Sequence, residues 1–259
     1  MTYIHKEIYG QGDPVVMLHG WAMHGGLWGD FAAQLAVDRQ VICLDLPGHG
    51  RSESVKPYSL EVVVDALERA LPDEPCSLVG WSLGGELALR LAEKYPHKVK
   101  SLILIASNPH FLNAQGWVGV TPNVLIEFAH NIQSNASMTV LRFMSLQVQG
   151  MLNMKPCLQQ IKEALQECAM PELDVLMGGL QILETTDLRG ALTALVLPVQ
   201  MIFGERDSLV PAVVAGQCMS IAPKTDIHLI KGAGHVPFVT HKQQVLALVQ
   251  DFLLRSEGR

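Results

Sequence analysis

Short apolar runs alternate along this chain with longer stretches in which apolar residues recur every three or four positions, and Gly, Pro and Asp cluster at the joins. The runs Val15–Leu18, Val41–Asp45, Ser77–Gly80, Val99–Ala106, Val199–Phe203 and Ile227–Ile230 are apolar at successive positions, as strands buried on both faces of a parallel sheet require. Leu60–Leu71, Gly84–Tyr95, Pro211–Met219 and Gln243–Leu254 have helical spacing, and Pro211 suits a first helical turn, where its missing N–H costs nothing. The alternation predicts an α/β fold: a mostly parallel central sheet flanked by helices.

One stretch breaks the rhythm. Between Ala106 and Val199 about ninety residues pass without a buried-strand run, more than a compact domain carries as loop. Met, Gln and Leu recur there at helical spacing, as in Val140, Phe143, Met144, Gln147 and Met151. We expect a helical cap over the sheet, dividing the chain into core (1–109), cap (110–188) and core again (189–259).

Composition narrows the possible partners. The 259 residues are 49% hydrophobic and 17% charged, a globular balance that excludes disorder and fibrous repeats. Lys and Arg number 19 against 25 Asp and Glu, whereas nucleic-acid binders carry a basic surplus, so nucleic acid is not an expected partner. The same net charge of -6 at first sight disfavours an acidic partner too. The longest clean apolar runs, such as Leu102–Ala106, are far below the ~18 residues of a membrane span, and MTYIHKEIYG has no apolar signal core. Cys43, Cys76, Cys157, Cys168 and Cys218 are odd in number with no CxxC pair, which reads as reduced thiols in the cytoplasm.

The sharpest chemical signal is GWSLGG at Gly80–Gly85, a G-x-S-x-G pattern with a strand run before it and a helical run after it. A serine on such a turn presents its hydroxyl, and the glycines admit close backbone approach. Ser82 is therefore the candidate nucleophile. A hydroxyl needs a base to take its proton and a group to orient that base. His235, in the Gly-rich GAGHVPF after the last strand run, is the candidate base. The chain order Ser, acid, His asks for a carboxylate between them; Asp207 in FGERDSLVP is preferred, with Glu205 and Asp226 as competitors. Helix capping before Pro211 is the structural alternative for Asp207. For the developing oxyanion, the backbone N–H of Leu83 and that of Trp21, after His19 and Gly20, are the expected donors. Asp45 and His49 in LDLPGHGRS are assigned to a tight turn. GHGRSE lacks the third Gly of a dinucleotide fingerprint, and no phosphate loop, HExxH or Cys/His cluster is present, so no cofactor or metal is expected.

HGW, DLPGHGRS, GWSLGG, GERD and GAGHVPF, in that order, resemble the α/β-hydrolase superfamily over nearly the whole chain. ASNPHF, WVGVTPNVL, RFMSLQ and MPELDVLMGGLQILETTDLR narrow the resemblance to the family of pimeloyl-acyl carrier protein methyl ester esterases of biotin biosynthesis. The resemblance implies a cap inserted after the sixth strand and Ser82, Asp207 and His235 as the triad. It further implies Trp21, Leu83 and the cap residues Phe143, Met144, Ser145, Leu146 and Gln147 around the substrate, and acyl carrier protein as its carrier. Carrier docking would fall to cap cations: Arg142 matches the family pattern, Lys155 replaces an arginine and Lys162 adds a charge, whereas Met138 and Gln159 are uncharged. A broad esterase, lactonase or carbon–carbon bond hydrolase with the same triad is the alternative, and a non-catalytic receptor the more distant one.

Overall fold

In the computed structural model, which describes residues 2–148 and 154–258, the apolar runs become a seven-stranded sheet. Its strands are β1 (Lys6–Tyr9), β2 (Asp13–Leu18), β3 (Arg39–Leu44), β4 (Cys76–Trp81), β5 (Val99–Ile105), β6 (Val199–Gly204) and β7 (Asp226–Ile230). The order is β1-β3-β2-β4-β5-β6-β7, with β1 antiparallel to β3 and every other pair parallel. The central strand, β4, is buried at all six positions. Because β2, β4, β5, β6 and β7 run the same way, their C-terminal ends open on one edge, where open α/β sheets place their ligands.

Helices cover both faces: α1 (Gly29–Leu35), α2 (Leu60–Glu68), α3 (Leu83–Lys94), then α4 (Pro122–Gln147), α5 (Met154–Glu167), α6 (Leu173–Thr185) and α7 (Arg189–Ala194) between β5 and β6, and finally α8 (Val213–Ile221), α9 (Pro237–Thr240) and α10 (Lys242–Ser256). The long helix α4 is broken at Asn135 (φ -158°, ψ 88°). The cause is local: Asn135 Oδ1 accepts from the Met138 N–H (3.0 Å), so Asn135 acts as an N-cap inside the run and starts a second helical segment.

Several expectations are revised. The strand β1 has no counterpart among the expected strands, since KEIY alternates between exposed and half-buried positions at a sheet edge and has no apolar run. The helical insertion follows the fifth strand of this sheet, not a sixth. The last strand, β7, is not buried on both faces; it is the opposite edge, and Leu229 is half exposed. Pro211 precedes α8 instead of opening it, and its carbonyl accepts from Val214 N–H. Helix α2 ends at Glu68, short of the expected Leu71. Met151 lies outside the described residues.

Candidate active site

Ser82 stands between the end of β4 and the start of α3 at φ +55°, ψ -123°, a region that L-residues avoid. Two glycines make this tolerable. A Cβ on Gly80 would fall on the Gly84 carbonyl oxygen and the Gly85 Cα, and one on Gly84 on the carbonyls of Leu18 and His19, so strand and helix can pack backbone to backbone only as glycine. The turn is then bonded in place. Ser82 N–H donates to the Ile105 carbonyl (3.1 Å), and the Ser82 carbonyl accepts from Gly85 N–H and from Ser107 Oγ, both at 2.8 Å.

The candidate base and acid arrive from the ends of β7 and β6. His235 Nε2 lies 2.9 Å from Ser82 Oγ, and His235 Nδ1 lies 2.8 Å from Asp207 Oδ2. A carboxylate only accepts, so Nδ1 carries the ring proton and Nε2 faces the serine hydroxyl as an acceptor. The remaining oxygen, Asp207 Oδ1, accepts from the N–H groups of Leu209 (2.8 Å) and Val210 (3.0 Å). Asp207 thus caps its own turn and holds the imidazole at once. The competitors are engaged elsewhere: Glu205 accepts from Gly232 N–H (2.8 Å), and Asp226 pairs with His228 and Arg255. All three residues of the candidate triad are at most 6% exposed. Trp81 Nε1–H donates to the His235 carbonyl (2.8 Å), tying the base loop to the nucleophile strand.

On the other side of Ser82 runs the loop after β2. A Cβ on Gly20 would lie 3.2 Å from Ser82 Cβ, which places the backbone leading into Trp21 beside the nucleophile. Leu83 opens α3, and a first-turn amide has no intrahelical acceptor. His19 keeps the loop in register by accepting from Leu46 N–H (2.9 Å) and bonding the Gly20 carbonyl (2.8 Å). Burial, reinforced by the neighbouring His49, holds His19 well below the ordinary histidine range, so it is neutral as that pair of bonds requires. His49 is lowered to about 4, chiefly by burial, and Asp45 accepts from Gly25 and Arg51 N–H groups; both serve the turn.

The cap closes the site from above. Phe143, Met144 and Gln147 are buried on α4, and the Phe143 ring meets Trp21 edge-on at 4.9 Å and Phe128 at 5.5 Å. Ser145 points outward, its hydroxyl on the Leu141 carbonyl. With Arg142, Leu146 and Phe128 it lines a groove of about 450 Å³ between the two segments of α4. The three cations do not share one cavity. Arg142 lines that groove, Lys162 lines a second cavity of about 510 Å³ with Met23, His24, Val140 and Cys168, and Lys155 is exposed on α5. Among the described residues none of the three forms an ion pair. Phe128, Ser107 and Trp81 also border the site and are absent from the residues expected there; an aromatic four turns before Phe143 on one helical run is the available signal for Phe128. All five cysteines are free, and no described group of three His, Cys, Asp or Glu is placed to hold a metal.

Known proteins are similar to this sequence over nearly its whole length. It is 38% identical over 250 residues to a pimeloyl-[acyl-carrier protein] methyl ester esterase of Methylococcus capsulatus, covering 96% of this chain and 98% of that one. It is 36% identical over 252 residues to the protein of the same name in Yersinia pseudotuberculosis, covering 95% and 97%. An esterase of Exiguobacterium antarcticum superposes with a TM-score of 0.87 over 97% of this chain and 95% of its own; at 20% identity it speaks for the fold alone. The family pattern for the α/β hydrolase fold matches residues 13–242, from the first residue of β2 to the first of α10. With that match and these near full-length relatives, the chain belongs to the α/β hydrolase fold family.

Proposed function

We propose that this chain is a serine carboxylesterase that hydrolyses the methyl ester of a pimeloyl chain borne on acyl carrier protein, releasing methanol. The observation that carries the reading is the continuous relay Asp207–His235–Ser82, with contacts of 2.8 and 2.9 Å, in a chain that aligns over nearly its whole length with relatives of that name.

In this reaction His235 Nε2 takes the Ser82 Oγ proton as the oxygen attacks the ester carbonyl carbon. The negative charge that forms on the carbonyl oxygen is received by the N–H groups of Leu83 and Trp21. The tetrahedral intermediate collapses, the carbon–methoxy bond breaks, and His235 returns its proton to the departing oxygen as methanol. A water molecule then repeats the sequence on the acyl-enzyme, giving the free carboxylate and regenerating Ser82. Asp207 keeps Nδ1 protonated throughout and balances the transient imidazolium. Phe143, Met144, Leu146 and Gln147 form the acyl-binding wall of the cap.

Carrier docking rests on position, not on total charge. Between 110 and 188 there are seven carboxylates against three cations, so Arg142 at the groove mouth and Lys155 on the exposed face of α5 act as local contacts for an acidic carrier. The cytoplasm is the compartment that matches free thiols and a carrier-bound substrate.

The deciding experiment compares hydrolysis of pimeloyl-carrier methyl ester with that of the free methyl ester, for the wild type and for Ser82→Ala. We expect a marked preference for the carrier-bound ester and loss of about 10⁴–10⁶ in kcat on Ser82→Ala. Equal use of both esters would reassign the protein to a broad esterase, and an active Ser82→Ala would remove the serine mechanism altogether.

A further inference from the structure

Around the site, four hydrogen bonds between core and cap share one form: the core supplies the donor and the cap a backbone carbonyl. Trp21 Nε1–H donates to Leu176 on α6 (2.9 Å), His24 Nε2 to Ala164 on α5 (2.6 Å), His235 N–H to Gln147 on α4 (3.0 Å) and Ser208 Oγ to Leu146 on α4 (3.3 Å). Each donor lies on a loop that carries a triad residue or the Trp21 amide. Three of the acceptors, Leu146, Gln147 and Ala164, belong to the last turn of their helices, where carbonyls lose the regular partner four residues on; the Leu146 carbonyl also accepts from the Val148 N–H. The loops around the site therefore serve as the C-terminal caps of α4 and α5.

His24 is the most fully built of these ties. It is 3% exposed, and both ring nitrogens are engaged: Nδ1 accepts from Gly26 N–H (3.1 Å), which leaves the proton on Nε2 for the Ala164 carbonyl. The ring lies directly over Gly26, where an added Cβ would be 2.7 Å from Cε1 and 2.9 Å from Nδ1. The loop it braces needs outside support, because Ala22, buried between Trp21 and Met23, is held at φ +60°, a strained conformation for a residue with a Cβ. Nothing else on α5 reaches this loop with a hydrogen bond among the described residues.

We propose that His24 is a positioning residue: by capping α5 it fixes the loop from Trp21 to Gly26 against the cap and so sets the Trp21 amide relative to Ser82. The cap then contributes to the chemical step as well as to substrate access. This inference rests on Trp21 N–H acting as an oxyanion donor in the proposed esterase.

The test uses the full chain and a short p-nitrophenyl ester, which needs no carrier. His24→Leu should lower kcat by about 10–100-fold while KM changes by less than about threefold, the signature of a donor displaced by a fraction of its loop. Gly26→Ala, which crowds the imidazole off its seat without altering it, should give the same split. His24→Gln, whose amide can still donate to Ala164, should recover kcat to within about fivefold of wild type. The rate at which an organophosphonate labels Ser82 should fall in parallel with kcat, since the same amides receive charge on the phosphoryl oxygen. Unchanged kcat in both His24→Leu and Gly26→Ala, or a rise in KM alone, would overturn the proposal. If His24→Leu does not fold, Gly26→Ala and His24→Gln still decide it. A wild type that neither hydrolyses the ester nor takes the label would instead defeat the esterase reading on which the inference stands.

Discussion

At the nucleophile elbow, the neighbours that dictate the geometry are backbone atoms: the carbonyls of Leu18, His19 and Gly84 fill the space where side chains on Gly80 and Gly84 would go. On α6 of the cap the neighbours are mostly side chains, with Gly179 facing the Trp21 indole and Gly178 facing the Tyr58 side chain, whose carbonyl oxygen would also lie 2.8 Å from an added Cβ. Backbone in a central parallel sheet cannot step aside without moving strands, whereas an indole can tilt. The elbow is thus determined by steric exclusion, and the cap by a handful of hydrogen bonds to carbonyl groups. The strained backbone of Ser82 is held by the first kind of constraint, and the helices over it by the second.

Adjacent residues on one loop expose the contrast most strongly. Asp207 orients His235 on the core side, and Ser208 reaches the Leu146 carbonyl on the cap side. Asp207→Asn should reduce kcat by about 10⁴-fold, because an amide favours the wrong imidazole tautomer. Glu205→Gln, two residues away, should cost far less, and a reversal of that ranking would transfer the orienting role. Ser208→Ala removes a single cap bond and should cost less than about tenfold; a loss matching Asp207→Asn would mean that the cap tie and the triad are one unit.

The glycines provide the next comparison, in stability. Gly84→Ala drives a methyl group into two backbone carbonyls, and we expect a loss of about 3 kcal/mol, on the order of 10 °C in Tm. Gly179→Ala meets side chains alone, the edge of Trp21 2.6 Å away at Cδ1 and Leu83 Cδ2 at 3.6 Å, and should cost about 1 kcal/mol while disturbing the Trp21 tie to Leu176. Thermal melts of the two variants at one pH check the order. Equal losses would remove the distinction between a backbone-packed elbow and an adaptable cap.

The same distinction governs how much of the molecule is legible in its sequence. Buried parallel strands announce themselves as apolar runs; the glycines of GWSLGG mark places where backbone must come close, and Gly232 of GAGHVPF a left-handed turn at φ +76°, so Ser82 and His235 stand out. The edge strand β1 does not, because half of its positions face solvent and carry no signal. Asp207 and Glu205 share one loop, and only the three-dimensional path of β6 and β7 decides which of them turns to the imidazole. The break in α4 hides in the side-chain bond of Asn135, an ordinary residue in a polar run. His24 is equally illegible: its partner, the carbonyl of Ala164, lies 140 positions away, and a backbone acceptor has no sequence signature at all.

The smallest effect concerns a residue that belongs to the elbow side yet takes no part in the relay. Glu86 sits one helical turn beyond Ser82 on α3, 1% exposed, with neither carboxyl oxygen bonded to another described group. Burial holds its carboxyl well above the usual carboxylate range, so the folded protein keeps a proton there that the unfolded chain releases above about 4.5. Between the unfolded pKa and the raised folded one, the native state binds more protons than the unfolded state, and stability falls as pH rises through that window. Glu86→Gln keeps the shape and removes the titration. Its Tm should therefore equal that of the wild type near pH 4 and exceed it by about 2–4 °C at pH 8, a gain of about 1 kcal/mol. A Tm difference that stays constant with pH, or that favours Glu86 at pH 8, would mean that the carboxylate is ionised and paired in the folded state, and that the turn after the nucleophile is held by charge as well as by exclusion.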